Sequence, residues 1–138
     1  MQRFIKSSKN SGVDWKVAPD VKKKLHRLTT LLEIDWVTPS RIFCVRSSGT
    51  KTRAIARIWG LGRVWQLALV QKPAYIIEVI SEKYNRLREE DKDKVLLHEL
   101  SHIPKNFSGA LLPHIRHGKR SFHDKLKILV AQYNRNKE

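Results

Sequence analysis

The stretch "KVLLHELSHIPKNFSGALLPHIRHGKRSFHDKL", residues 94–126, holds five of the six histidines of this 138-residue chain. Its first two histidines belong to the pattern H-E-x-x-H at residues 98–102, which lies shortly after the acidic run "REEDKD". Acidic residues favour the N-terminal end of a helix, because negative charge complements the helix dipole there. Pro104 disfavours helical geometry in the residue before it. The sequence therefore predicts a helix over residues 88–103 that ends with this pattern.

The pattern places two histidines where both can bind one metal ion. Positions i and i+4 of a helix lie on the same face, roughly 5–6 Å apart at Cβ, so His98 and His102 can both reach a zinc ion at about 2.0–2.1 Å. Glu99 then stands beside the metal without binding it. In that position a glutamate can take a proton from a zinc-bound water, whose pKa the metal lowers to about 7. We therefore predict a Zn²⁺ site with Glu99 as the general base.

A third ligand has to come from elsewhere in the chain, because catalytic zinc sites use three protein ligands and keep a fourth position open. The extended pattern H-E-x-x-H-x-x-G-x-x-H is absent, since Lys105 and Ser108 occupy the places of its glycine and last histidine. A glutamate from a later helix is unsuited, because the only glutamate after Glu99 is the last residue, Glu138. The remaining candidates are His114, His117, His123 and Asp124.

Among these candidates we prefer His114 as the third ligand, with His117 as the alternate. A loop that contains Gly109 can reverse the chain after the predicted helix and bring the following residues back towards the metal. Pro113 stiffens the approach of His114, and Gly118 leaves the chain free to turn directly after His117. Both histidines stay open at this point.

The rest of the chain predicts an α+β fold. A helix begins at Pro19, and Val21, Leu25, Leu28 and Leu32 then recur at helical spacing. Short β-prone runs follow at residues 41–47, 52–59 and 74–80, separated by turn signals. A last helix is predicted over residues 121–134. We therefore expect a small, mostly antiparallel sheet with an N-terminal helix, the H-E-x-x-H helix and a C-terminal helix.

The domain organisation is simple. Residues 1–17 are polar and basic, and we expect a flexible arm in front of a single domain over residues 18–138. The start lacks the apolar region of a secretory signal and no apolar run is long enough to span a bilayer, so we expect no membrane partner. A single cysteine, Cys44, allows no intramolecular disulfide, which favours a reducing, cytoplasmic location.

The net charge is the strongest feature of the composition. With 28 basic and 13 acidic residues, the chain carries +15 at pH 7. Thermal adaptation does not explain this excess, because it adds lysine and glutamate together. Affinity for a polyanion does explain it, and the hypothesis is that nucleic acid binds through a basic surface. A generally basic protein without such a role is the alternative.

The motif region resembles a known family. "KVLLHELSHIPKNFSGALLPH", preceded by "SRIFCVRSSGTKTRAIARIWGLGRVWQLAL" and "AYIIEVISEKYNRL", resembles the predicted metallopeptidases of archaea and phages over roughly residues 20–135. This resemblance implies a zincin-like fold, a zinc-dependent peptidase activity, a protein or peptide substrate, and His114 as the third ligand. A looser resemblance to SprT-like proteases rests on His117-Gly118 and Phe122, and it implies His117 as the ligand and an action on DNA-bound proteins.

A function from another class stays open beside the peptidase. The chain is then a basic nucleic-acid-associated protein whose H-E-x-x-H zinc site is structural or inactive. Binding to DNA with a steep salt dependence, together with no hydrolysis of any peptide, would favour it.

Overall fold

A computed structural model describes residues 4–6, 12–114 and 122–136, and these residues form the predicted α+β arrangement. A short 3-10 turn at Pro39–Arg41 precedes the third strand. In chain order the elements are β1 (Phe4–Lys6), β2 (Asp14–Val17), α1 (Pro19–Leu31), β3 (Ile42–Ser48), β4 (Ala56–Gly60), α2 (Arg63–Leu69), β5 (Tyr75–Ile80), α3 (Ser81–Tyr84), α4 (Glu89–Leu100) and α5 (Phe122–Asn136).

The strands of the described residues form one five-stranded sheet in the order β1-β2-β3-β5-β4. β3 and β5 run parallel, and the other three neighbouring pairs are antiparallel, so the sheet is mostly antiparallel as predicted. Alternate residues of β3 and β5, among them Ile42, Ile77 and Val79, are fully buried on the face that the helices cover. β4 lies at the edge of the sheet and contacts α4, the helix that carries the H-E-x-x-H pattern.

Helix α1 begins at Pro19, where the sequence predicts it. Proline suits the first turn because its missing N–H would have no partner there and its φ angle is already helical. The predicted apolar positions Val21, Leu25, Leu28 and Leu32 are all buried, and the helix packs against β3. The periodicity of the sequence therefore identified the buried face of this helix.

A buried carboxylate joins three helices around the core. Asp93 of α4 accepts hydrogen bonds from Lys24 Nζ at 2.8 Å and Arg27 Nη2 at 2.9 Å, both on α1. It also accepts a hydrogen bond from the Tyr133 hydroxyl of α5 at 2.9 Å. Because a buried charge needs this degree of pairing, the cluster fixes how α1 and α5 pack on α4.

The predicted strand at residues 52–59 is shorter than expected, because β4 begins only at Ala56. In the preceding segment the Thr52 N–H donates to Thr50 Oγ1 at 3.0 Å, and the Ala54 N–H donates to Thr52 Oγ1 at 3.2 Å. Threonine hydroxyls that bind nearby backbone N–H groups compete with the bonds of a strand ladder. These side-chain hydrogen bonds therefore replace strand pairing in this segment, although its composition is β-prone.

Helix α2 was not expected from the sequence. Its apolar side chains are exposed on all sides instead of sharing one buried face: Val64 is 79%, Leu67 82% and Val70 87% exposed. Gln66 holds the helix in place through its Nε2, which donates to the Leu61 carbonyl at 2.7 Å and to the Ser108 carbonyl at 2.8 Å. Without one apolar face, periodicity cannot identify such a helix.

Two strands lie within the residues 1–17 that we assigned to an arm. β2 pairs with β3 over Asp14–Val17, and β1 pairs with β2, so these stretches join the sheet. Residues 7–11 lie outside the described part, and the division into an arm and a domain stays a prediction. Within the described ranges, none of the helices has the length and apolar character needed to cross a membrane.

Candidate metal centre

Helix α4 brings the first two histidines together at its C-terminal end. After Leu100 the chain tightens, since the His102 N–H donates to the Glu99 carbonyl at 3.1 Å, a bond over three residues instead of four. His102 therefore lies on a last, narrower turn that follows the helix. The ring centres of His98 and His102 are 5.3 Å apart, which is the close approach that the i and i+4 spacing predicts.

A loop then returns the chain to the same place. Tyr75, which is fully buried on β5, holds this loop through its hydroxyl. The hydroxyl accepts a hydrogen bond from the Gly109 N–H and donates one to the Ala110 carbonyl, each at 2.8 Å. Gln66 of α2 donates to the Ser108 carbonyl beside them. The loop after α4 is thus fixed by two elements from the middle of the chain.

The loop also needs glycine on both sides of its contact with β4. Gly109 has a φ of 96°, and a Cβ added to it would lie 2.2 Å from the Leu61 carbonyl oxygen. A Cβ added to Gly60 would lie 2.1 Å from the Gly109 carbonyl oxygen. The two backbones can approach this closely only because neither residue has a side chain.

Two hydrogen bonds close the loop onto the end of α4. The Leu112 N–H donates to the His102 carbonyl at 2.7 Å, and the His102 ring Nδ1 lies 2.6 Å from the Leu112 carbonyl. A carbonyl can only accept, so His102 Nδ1 carries a proton, and in the neutral imidazole His102 Nε2 then presents a lone pair. Histidines that bind metals are commonly oriented by this kind of second contact.

His114 completes a cluster of three imidazoles. Its Nε2 lies 3.2 Å from His98 Nε2 and 3.0 Å from His102 Nε2. The ligand atoms of the three rings lie within 4.8 Å of one another and can hold a metal ion. Lone pairs that face each other at such distances repel, so a cluster of this kind favours a proton or a cation between its nitrogens. The donor set therefore fits a metal.

Glu99 lies beside the cluster and is 7% exposed. Its side chain lines the same cleft as the three histidines. Burial raises the pKa of its carboxyl to about 7, because a charged carboxylate loses hydration there. Glu99 is therefore placed in the cleft, one position from His98, as the pattern predicts.

The cluster opens into a cleft of about 1010 Å³. The cleft is lined by strand β4 with the residues before it, by residues of α4, and by the residues just before His114. Nine of the seventeen lining residues are apolar: Ala54, Ile55, Ala56, Ile58, Leu87, Val95, Leu111, Leu112 and Pro113.

The other predicted candidates are placed less fully. His117 lies outside the described residues, and the side chains of His123 and Asp124 on α5 are likewise outside the described part. Cys44 is buried, and burial raises the pKa of its thiol to about 11. The ligand roles of His98, His102 and His114 and the base role of Glu99 stay predictions.

Sequence reasoning missed the residues that hold the loop. Tyr75 stands in a strand of apolar residues, where tyrosine is an ordinary choice, and Gln66 stands in a helix that was not expected. The Leu112 carbonyl is a backbone group and leaves no mark in the sequence. The one available signal was Gly109, which we read as the point where the chain reverses.

Comparison with known proteins gives one family. Residues 13–130, most of the chain, match a family described as "Putative phage metallopeptidase". The match includes strand β2, all of the cleft and the three clustered histidines. No curated protein and no solved structure matches the chain.

Proposed function

The chain belongs to the phage metallopeptidase family, and from that membership we propose that it is a zinc-dependent peptidase whose centre is the His98–His102–His114 cluster. The observation that carries the proposal is the convergence of three ring nitrogens beside a buried glutamate in an open cleft. Residues from two separate segments meet there, and the loop that brings His114 is held by its own hydrogen bonds.

Zinc is the metal that this donor set favours. Three protein ligands with a fourth position open are the usual arrangement of catalytic zinc, and three imidazoles are one of the ligand sets that occur. In a tetrahedral site with bonds of about 2.0–2.1 Å, two ligand nitrogens lie roughly 3.4 Å apart. The distances of 3.2 Å and 3.0 Å from His114 Nε2 to the other two rings need only a small expansion to reach that value.

The protein supplies the proton transfers. When bound, zinc supplies a Lewis acid for the scissile carbonyl and lowers the pKa of water. A Glu99 carboxylate oxygen takes the proton from the attacking water and passes it to the nitrogen of the departing amine. His102 stays in one orientation during these steps, because its Nδ1 proton is held by the Leu112 carbonyl.

The edge strand β4 offers a binding site for an extended peptide substrate. In its antiparallel pair with β5, the Ile80 N–H donates to the Ile55 carbonyl at 2.9 Å. Because bonded positions alternate along such a pair, the backbone groups of Ala56 and Ile58 point away from β5 towards the cleft. An extended peptide adds there as a further strand and crosses the cleft in front of the histidine cluster.

The first experiment measures the metal. We expect about one zinc per chain in the purified protein by elemental analysis. His98→Ala and His114→Ala lose the zinc, whereas His117→Ala keeps it. Loss in His117→Ala with retention in His114→Ala would assign the third ligand to the alternate histidine. Absence of zinc from the wild type after incubation with excess metal would overturn the proposal.

The second experiment measures catalysis with a matched pair of variants. Glu99→Gln keeps the zinc and loses about 100-fold or more of the hydrolysis of a labelled, unstructured protein, because it removes the general base. Glu90→Gln, on the same helix but outside the cleft lining, keeps both. Full activity in Glu99→Gln would contradict the mechanism. A wild type that binds zinc but hydrolyses no peptide would favour the nucleic-acid-associated protein instead.

A further inference from the structure

The face of the sheet opposite the helices carries exposed apolar side chains in one row. Phe43 of β3 lies next to Ile76 of β5, and Ile76 lies next to Trp59 of β4. These side chains are 46%, 39% and 47% exposed, respectively. The solvent-facing side of an antiparallel sheet normally carries polar residues, so an apolar row of this kind indicates an interaction site.

The row is concave, and aromatic rings form its two sides. A pocket of about 250 Å³ lies over Ile76 between Phe43 and Trp59. The two aromatic residues stand two strand spacings apart, about 10 Å. A flat ring between them needs roughly 7 Å, which is two contact distances of about 3.5 Å. This backbone spacing and the pocket volume of about 250 Å³ are compatible with one planar group between the two aromatic residues.

The side chains around the pocket are held in place. Trp59 Nε1 donates to Glu78 Oε1 at 2.9 Å, and Arg57 Nε donates to the same oxygen at 2.8 Å. Glu78 itself is fully buried. At the other end, Arg41 Nη2 donates to the Lys72 carbonyl at 2.8 Å. The side chains of the pocket are therefore already ordered, so the binding of a ligand costs little free energy for ordering them.

Cations flank both aromatic rings. The Arg41 guanidinium carbon lies 5.7 Å from the centre of the Phe43 ring, and the Arg57 guanidinium carbon lies 5.4 Å from the Trp59 ring. Lys22 Nζ lies 5.9 Å from the Phe43 ring. With a net charge of +15 on the chain, this face attracts a polyanion.

From the pocket, its two rings and these cations we propose that the outer face of the sheet binds single-stranded nucleic acid. A base stacks between Phe43 and Trp59 above Ile76, and a neighbouring phosphate meets Arg41, whereas Lys22 Nζ donates to the Pro39 and Ile42 carbonyls. Aromatic platforms beside cations are the usual means of binding unpaired bases without sequence preference. The bases of a duplex are already stacked and paired, and a pocket of about 250 Å³ cannot admit them.

This site is separate from the metal centre. The residues that line the pocket and those that line the cleft form two sets without a common member. Tyr75 lines the pocket and also holds the His114 loop, and Arg57 flanks the Trp59 ring and also lines the cleft. Phe43 and Trp59, however, line the pocket and not the cleft, so their substitution tests nucleic-acid binding separately from zinc binding. Failure of nucleic-acid binding would leave the proposed function untouched, and the reverse also holds.

Fluorescence anisotropy with a labelled oligothymidylate of about 15 nucleotides tests the proposal, and a duplex of the same length is the competitor. We expect binding that weakens steeply between about 50 mM and about 200 mM salt. Phe43→Leu and Trp59→Leu each weaken binding about tenfold, since stacking on one aromatic ring has this order of effect. Trp65→Leu is the matched control, because Trp65 is 62% exposed on α2 and outside the pocket.

Three outcomes would overturn the proposal. The first is no binding of the single strand at low salt. The second is equal affinity of the wild type and both pocket variants, which would assign the binding to net charge alone. The third is a preference for the duplex. Thermal unfolding followed by circular dichroism confirms that each variant is folded, and leucine keeps the pocket apolar so that both variants remain testable.

Discussion

Replacement of Tyr75 by phenylalanine tests whether the loop that carries His114 is positioned by the sheet. The substitution removes one hydroxyl and leaves the ring, which also packs edge-on against Phe107 with ring centres 5.0 Å apart. Two hydrogen bonds disappear, one from the Gly109 N–H and one to the Ala110 carbonyl. The three imidazoles and Glu99 are chemically unchanged.

The size of the effect follows from the burial of the two groups. Ala110 is exposed, so water can replace the hydroxyl at its carbonyl. Gly109 is buried, and a buried N–H that loses its partner costs about 1–3 kcal/mol. If that cost falls on the ordered form of the loop, zinc affinity decreases by between about fivefold and about 150-fold. We expect a decrease of about tenfold, with the remainder appearing as lower global stability.

Competition with a chromophoric zinc chelator measures the affinity, and thermal unfolding measures the stability. Tyr84→Phe is the matched control, because Tyr84 is also buried but its hydroxyl has no hydrogen-bond partner within the part of the chain that the structure describes. That variant should bind zinc like the wild type. Wild-type zinc affinity in a folded Tyr75→Phe variant would refute the reasoning. Gln66→Leu, which removes the bond to the Ser108 carbonyl, should change zinc affinity in the same direction.

Three further predictions concern other parts of the protein. Gly109→Ala should destabilise the fold by about 2 kcal/mol or more in urea denaturation, because it combines an unfavourable φ with a backbone clash. Gly62→Ala is the control, since an added Cβ there meets nothing within 4 Å, and it should change stability by about 0.5 kcal/mol or less. Equal effects of the two substitutions would contradict the clash. Burial raises the pKa of Glu78, but hydrogen bonds from Arg57 and its neighbours outweigh this and hold the pKa below its usual value of 4.5. The stabilisation from the charge of Glu78 is therefore complete above pH 4.5 and is lost as the pH falls through the lower, folded-state pKa. The unfolding free energies of wild type and Glu78→Gln should therefore converge in acid. A difference that persists there would refute the ionised pair. Because burial raises the pKa of the Cys44 thiol to about 11, a thiol reagent at about pH 8 should modify the folded protein only as fast as it unfolds, and rapid modification of the folded form would contradict its burial.

The sequence predicted the parts of the fold that depend on local pattern. Pro19 and the apolar residues after it identified α1, whereas α4 ends at Leu100, three residues before the predicted end at residue 103. The spacing of His98 and His102 predicted their close approach, and the approach is kept although His102 lies on the narrower turn that follows α4. These inferences need no knowledge of how distant segments meet.

What the sequence could not decide depends on contacts between distant segments. His114 and His117 are the same residue type and lie close in sequence. The contact of His114 with the other two rings arises from hydrogen bonds that Tyr75 makes to the loop after α4 and that Leu112 makes to His102. The helical state of residues 63–69 was missed because its apolar side chains face water all round. In neither case does a local sequence pattern reveal the interactions that determine the structure.

The exposure of helix α2 has a consequence for how the molecule opens. Regions with few buried contacts unfold locally at a small cost in free energy, so the amide hydrogens of α2 should exchange with solvent faster than those of α1 and α4. Each opening also withdraws the Gln66 amide from the Ser108 carbonyl. Local unfolding of a surface helix thus breaks one of the contacts that hold the His114 loop, and hydrogen exchange in α2 reports how often that contact is open.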